Sequence, residues 1–226
     1  MPAATKHTNE AAMTRIWSRT TRALALTIAG LMIAGCVEDK VLAPSTPNPA
    51  VLVHYWHFNA LPAGTLTTVA ADVSLLAGAA ITYPGAGLGY MDQVSPGTDL
   101  NARNGVPAGL GLRPRNPADT RELIIVAPST GYEDIVVSWA VQRSSAGAQQ
   151  EEFAFSQDGG TTWVPVGTIM TITETWEKMT VDLRAFSLVD NKANLRFRIL
   201  FTGIGSNGAS GNNRIDNLAI EGVPII

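Results

Sequence analysis

Cysteine is all but absent: Cys36 stands alone in 226 residues. No internal disulfide can form, so the fold must be held by its core. Histidine is nearly as scarce, and His54 and His57 are the only two beyond the first 36 residues. Their spacing puts them on opposite faces of a strand, and no H-E-x-x-H pattern makes a zinc site of them. The chain also lacks a G-x-S-x-G nucleophile elbow. Its one Gly-rich run, PGAGLG (84–89), has no helix after it to cradle a phosphate. Glu122, Glu151, Glu152 and Glu174 supply carboxylates, but no spacing sets a pair across a cleft, as glycoside hydrolysis needs. Glu151 and Glu152, as strand neighbours, face opposite sides. These absences point away from catalysis.

What is present begins with an address. Arg15, Arg19 and Arg22 form a basic region ahead of an uncharged run, Ala23 to Gly35. A bilayer span needs about 20 apolar residues, so this run suits a signal peptide rather than a membrane helix. It ends in Ile33-Ala34-Gly35-Cys36, which resembles the lipobox of bacterial lipoproteins. The resemblance implies cleavage after residue 35 and a lipid on Cys36. Met13 is an alternative start, since residues 1–12 add nothing a signal needs. Residues 37–50, VEDKVLAPSTPNPA, read as an extended tether. Glu38 and Asp39 resemble the acidic export signal of surface lipoproteins, so the expected location is the outer membrane, exposed at the surface.

Removing residues 1–35 takes away four basic residues and one acidic residue, leaving 12 against 18, a formal net charge of −6. That balance argues against nucleic acid, which wants a basic stripe. Membrane attachment must then come from the lipid.

From Val51 onward no helical period is sustained. Short runs rich in Val, Ile, Thr and aromatics recur between Gly, Pro, Asn and Asp clusters. Strands are expected at 51–58, 109–113, 121–127, 133–144, 151–157, 162–167, 176–183, 194–203 and 213–222. Many short strands with turn signals between them indicate an all-β, antiparallel sandwich of the jelly-roll kind over 51–226. The stretch 84–105 has few core candidates and is expected to be a long ordered loop anchored by Tyr83, Tyr90 and Met91.

HYWHFN (54–59), ITYPGAG (81–87), TDLNARNG (98–105), GYEDIVVSWAVQRSS (131–145) and NNRIDNLAIEG (212–222) together resemble a family of β-sandwich domains in exported bacterial proteins. Those domains often serve as accessory modules. The closing N-R-I-D-N pattern is similar to the last strand of carbohydrate-binding and MAM-like jelly rolls. That resemblance implies a structural Ca²⁺ joining first and last strands, with Asn59 and Asp216 at the matching places and hard oxygen ligands. A plain alternative is that Asp216 pairs with Arg214 or Arg143, or caps a turn.

SQDGGTTW (156–163) places Ser156, Asp158, Gly160 and Trp163 at a spacing that resembles the Asp-box of sialidases and related β-propellers. Propeller blades repeat every 40–50 residues or so, and this chain has one copy in about 175 residues. The segment is therefore expected to be a hairpin turn, not an active site. For binding, Trp139 and Arg143 share a strand parity, and Tyr90 on the long loop could cover their face; a core role for Trp139 is the competing reading. The expected function is a non-catalytic, lipid-anchored binding module at the cell envelope, with carbohydrate the first ligand to test. The alternative is a structural or protein-binding component of an envelope complex.

Overall fold

Alternation dictates how this chain buries itself. In RFRILFT, Phe197, Ile199 and Phe201 are buried while Arg196, Arg198, Leu200 and Thr202 between them are partly open. A strand of this pattern has one face for the core and one for solvent. The computed structural model describes residues 48–85 and 91–226. The signal peptide, Cys36, most of the tether and Tyr90 lie outside the described residues.

Strands β1 (Val51–Trp56), β2 (Thr68–Ala70), β3 (Val73–Ser74), β4 (Ala80–Thr82), β5 (Met91–Val94), β6 (Gly111–Pro114) and β7 (Leu123–Val126) make the first half. β8 (Tyr132–Arg143), β9 (Gln150–Ser156), β10 (Val164–Thr171), β11 (Glu177–Asp182), β12 (Arg196–Thr202) and β13 (Asn213–Pro224) make the second. They form two antiparallel sheets. One has the order β11-β8-β13-β1-β3, with β6 beside β13 and β5 beside β6. The other has the order β10-β9-β12-β7-β4-β2. The chain steps repeatedly from one sheet to the other, and β13 returns to lie between β8 and β1. This is the antiparallel jelly-roll sandwich expected from the sequence.

The two inner faces meet over Trp56, Ile81, Leu112, Trp139, Phe155, Phe197, Phe201 and Ile215, all at 0–1% exposure. Each such side chain contributes about 1.5–3 kcal/mol of hydrophobic stabilisation. With no disulfide among them, this layer is what holds the sheets together. The described residues belong to one compact unit, Thr46–Ile226, and no helix among them is long and apolar enough to cross a membrane.

One expectation is corrected. Within the stretch read as a loop, Met91–Val94 is strand β5, paired in register with β6. Its two buried residues, Met91 and Val94, stand three apart, so the run shows no alternation. The short strands β2, β3 and β4 escaped notice because two or three residues cannot display a period.

Candidate functional site: an open sheet face

A sandwich has two outer faces, and here they differ. Over the β13–β8 part of the first sheet lies the 95–110 segment. Asn101 Nδ2 donates to the Asn217 carbonyl (2.7 Å) and to Ser138 Oγ (3.1 Å). Asn217 Nδ2 donates to the carbonyls of Thr98 and Leu100 (2.7 and 3.1 Å). Arg103 reaches Glu221 through Nε and Nη2 (3.1 and 3.0 Å), and Tyr55 Oη donates to Asn217 Oδ1 (2.5 Å).

Asn59 and Asp216 grip the two limbs of that segment. The Thr98 N–H donates to Asp216 Oδ2 (2.7 Å) and the Leu110 N–H to Asn59 Oδ1 (2.8 Å), while Asn59 Nδ2 donates to the Pro107 carbonyl (3.0 Å). Gly97 N–H closes the limbs on the Gly109 carbonyl (2.7 Å). Asp216 Oδ1 accepts the Asn217 N–H (2.8 Å), and neither Arg214 nor Arg143 pairs with it. Burial pushes Asp216 up to about 7 against the pull of those two N–H donors. These residues do not fit a calcium ion as they stand. Their oxygens face backbone donors, and no cluster of three acidic, His or Cys groups suited to a metal exists among the described residues.

Trp139 and Arg143 are not brought together as a ligand platform, which corrects the expectation placed on them. Trp139 is fully buried between the sheets, its ring stacked on Phe153 at 5.7 Å between centroids. Arg143, at the strand end, donates to the carbonyls of Ile172, Ser144 and Ser145 and pairs with Glu174 at 3.3 Å. It staples loops together. Parity was shared as read; the shared face is the inner one. His54 and His57 do point apart: His54 faces Ser74 Oγ and the Pro128 carbonyl (both 2.7 Å), His57 faces Asp72 (3.5 Å).

Residues 156–163 form the turn from β9 to β10. Ser156 Oγ accepts the Gly160 N–H (2.7 Å) and donates to Asp158 Oδ1 (2.7 Å). Asp158 Oδ1 also accepts the N–H groups of Thr161 and Thr162 (3.0 and 2.9 Å), and these donors hold its carboxyl well below the usual range. Gly160 sits at φ +93°, where a side chain would be strained. The turn delivers Trp163 onto the outer face of the second sheet, where the Arg198 guanidinium lies 4.6 Å from its ring centroid.

That outer face carries Trp163 and Arg198, both partly exposed. Across it the register sets Ala154, Arg198, Ile124, Thr82 and Thr68 in one row. Arg198 Nη1 donates to Glu122 Oε1 (2.9 Å), whose side chain is 44% exposed. Beyond Glu122 a pocket of about 490 Å³ opens between Leu200, Pro84, Gly85 and the 119–121 turn. A half-exposed indole, a guanidinium–carboxylate pair and a pocket thus follow one another across the strands. The alternation of NLRFRILF could have flagged Arg196, Arg198 and Leu200 as outward; nothing local links them to Trp163 or Glu122.

No protein-family model matches the chain, and no curated protein does. Similarity to solved structures is found. The xylan-binding domain CBM22-1 of Xyn10C from Paenibacillus barcinonensis is 12% identical with a TM-score of 0.44, covering 80% of this chain and 99% of that one. The module TmCBM61, solved with β-1,4-galactotriose, is 13% identical with a TM-score of 0.41, covering 62% and 86%. The N-terminal cellulose-binding domain of Cellulomonas fimi β-1,4-glucanase C is 10% identical with a TM-score of 0.36, covering 51% and 80%.

Proposed function

We propose that the protein is a non-catalytic carbohydrate-binding module and that its glycan lies across the outer face of the second sheet. The observation that carries this reading is the succession Trp163, Arg198–Glu122 and the Leu200 pocket across the outer face of the second sheet. A sugar presents an apolar C–H face and a rim of hydroxyls. The indole suits the first, while the guanidinium and carboxylate donate to and accept from the second. Arg198 and Glu122 on this face pair with each other, which favours a neutral glycan there. The same reading attaches the module to the cell envelope through lipid on Cys36, supported by the short uncharged run ending at Ile33–Cys36.

Titration calorimetry of the chain with xylan, β-1,4-galactan and cellulose oligosaccharides tests the ligand. Binding should fall tenfold or more in Trp163→Ala and in Glu122→Gln, the second variant lying off the hairpin. A folded protein that binds none of the three, or binds equally after both changes, overturns the proposal. Labelling with a fatty-acid analogue, lost in Cys36→Ser, tests the anchor separately.

A further inference from the structure

The first sheet carries a second set of outward-facing polar side chains beyond the reach of the 95–110 segment. β8 sets Gln142 opposite Arg214. β6 pairs Leu112 with Ile215, and Arg115 with Asn212 further along, which sets Arg113 opposite Arg214. β5 then sets Asp92 opposite Arg113. Val141, Ile215 and Leu112 belong to the core, so Gln142, Arg214, Arg113 and Asp92 form a row on the outer face. Arg115 joins them two residues from Arg113.

Charge is unbalanced along this row. Arg113 donates to both Asp92 oxygens (2.7 and 2.9 Å), and Arg115 donates to Asp92 Oδ2 through Nε (3.0 Å) and Nη2 (2.5 Å). Two guanidinium groups therefore share one carboxylate, which they hold below its usual pKa range against the opposing effect of burial. Arg214 has only neutral partners: Nε donates to Asn212 Oδ1 (3.1 Å), and with the Gln142 amide turned to suit its neighbours, Nη1 donates to the amide oxygen (3.1 Å). The opposite end of that amide donates to the Glu174 carbonyl (3.2 Å).

An aromatic plate sits beside the arginines. Trp176 Nε1 donates to the same Gln142 oxygen (3.1 Å), and its Cη2 lies 3.6 Å from where a Gly111 Cβ would stand. The 173–176 turn thus folds the half-buried indole over the sheet, next to Arg214.

We propose that Trp176, Arg214 and Arg113 form a second glycan site, on the opposite sheet from the first, that takes an acidic sugar. The indole stacks on the pyranose ring. The uronate carboxylate takes the Arg214 N–H groups that Asn212 and Gln142 leave open, with the positive charge of Arg113, whose Nε and Nη2 are held by Asp92, beside it. This site stands independently of the neutral-glycan reading, since it shares no residue with it.

Native gels cast with polygalacturonate, dextran sulfate or neutral xylan test it on the full chain. Polygalacturonate should retard migration, with affinity falling tenfold or more in Trp176→Ala and in Arg214→Gln, partly restored in Trp176→Phe, and unchanged in Trp163→Ala. Arg184→Gln, at an exposed pair with Asp182 elsewhere, should behave as the parent. No retardation of the folded parent by polygalacturonate overturns the proposal. Retardation by dextran sulfate that exceeds polygalacturonate and ignores Trp176→Ala also overturns it, because that is charge alone. Xylan retardation lost in Trp163→Ala but not in Trp176→Ala bears only on the first face.

Discussion

Trp139 donates its indole N–H to Glu151 Oε2 at 3.2 Å inside the core, and the second Glu151 oxygen has no partner there. Burial pushes this carboxyl up to about 8 from an ordinary 4.5, against the smaller opposing pull of the Trp139 N–H. Asp216 is raised in the same sense, to about 7. Between pH 4.5 and 8 the folded chain therefore holds protons that the unfolded chain has released. Stability is fully present below the unfolded values and is lost as pH rises through the folded ones. The melting temperature should be higher at pH 5 than at pH 8. Glu151→Gln, which keeps the acceptor for Trp139, should flatten that slope. Equal slopes in parent and variant would show that Glu151 is not the titrating group.

Ser156 is the pivot of the β9–β10 turn and is 1% exposed. Removing its hydroxyl leaves the Gly160 N–H without its acceptor and takes from Asp158 Oδ1 one donor beside those of Thr161 and Thr162. Ser156→Ala should cost about 1–2 kcal/mol, a fall of about 2–8 °C in a domain of this size. Thermal unfolding followed by circular dichroism measures it. If Trp163 depends on the turn for its place, glycan binding at the second sheet should weaken in the same variant. A variant with unchanged melting and binding would mean the turn is held by the strands alone.

The long strands were legible because each writes its own burial in period two, as Phe197, Ile199 and Phe201 against Arg196 and Arg198 show. What periodicity cannot state is which of two faces is inside. Trp139 and Arg143 were read as facing one way, and Trp139 does face with its parity, but Phe153 stacks on it from the other sheet. That contact is set by packing, not by the strand itself. Trp163 was legible as part of a turn. Its place over Arg198 is a contact 35 residues away, fixed by the β9–β12 register. Asn59 and Asp216, expected as ligands of an ion between the first and last strands, instead hold backbone of the 95–110 segment.

Gly97 and Gly109 let the 95–110 limbs lie against those two side chains. A Cβ at Gly97 would stand 2.4 Å from Asp216 Oδ2 and 2.8 Å from the Leu110 carbonyl oxygen; one at Gly109 would stand 2.2 Å from Asn59 Oδ1. Neither position permits it without displacement. Gly109→Ala should destabilise the protein by about 1–3 kcal/mol, the usual cost of overpacking, and Gly97→Ala by at least as much because backbone blocks its path. Hydrogen exchange should show faster opening of the Thr98 and Leu110 amides in both. Parent-like protection would mean the segment has slack.

Calcium gives the sharpest test of how Asp216 and Asn59 are used. Thr98 and Leu110 aim N–H donors at the oxygens an ion would need, and a cation there would have to displace them. An ion that binds only the folded chain raises the melting temperature with its concentration. With the donors in place, millimolar calcium or its removal by chelator should leave melting unchanged. Asp216→Asn should then be tolerated better at pH 8 than Asp216→Ala, because the amide oxygen still accepts from Thr98. A calcium-dependent rise of several degrees, abolished in Asp216→Asn, would instead show that the segment yields its N–H donors and that the two strands are joined by metal.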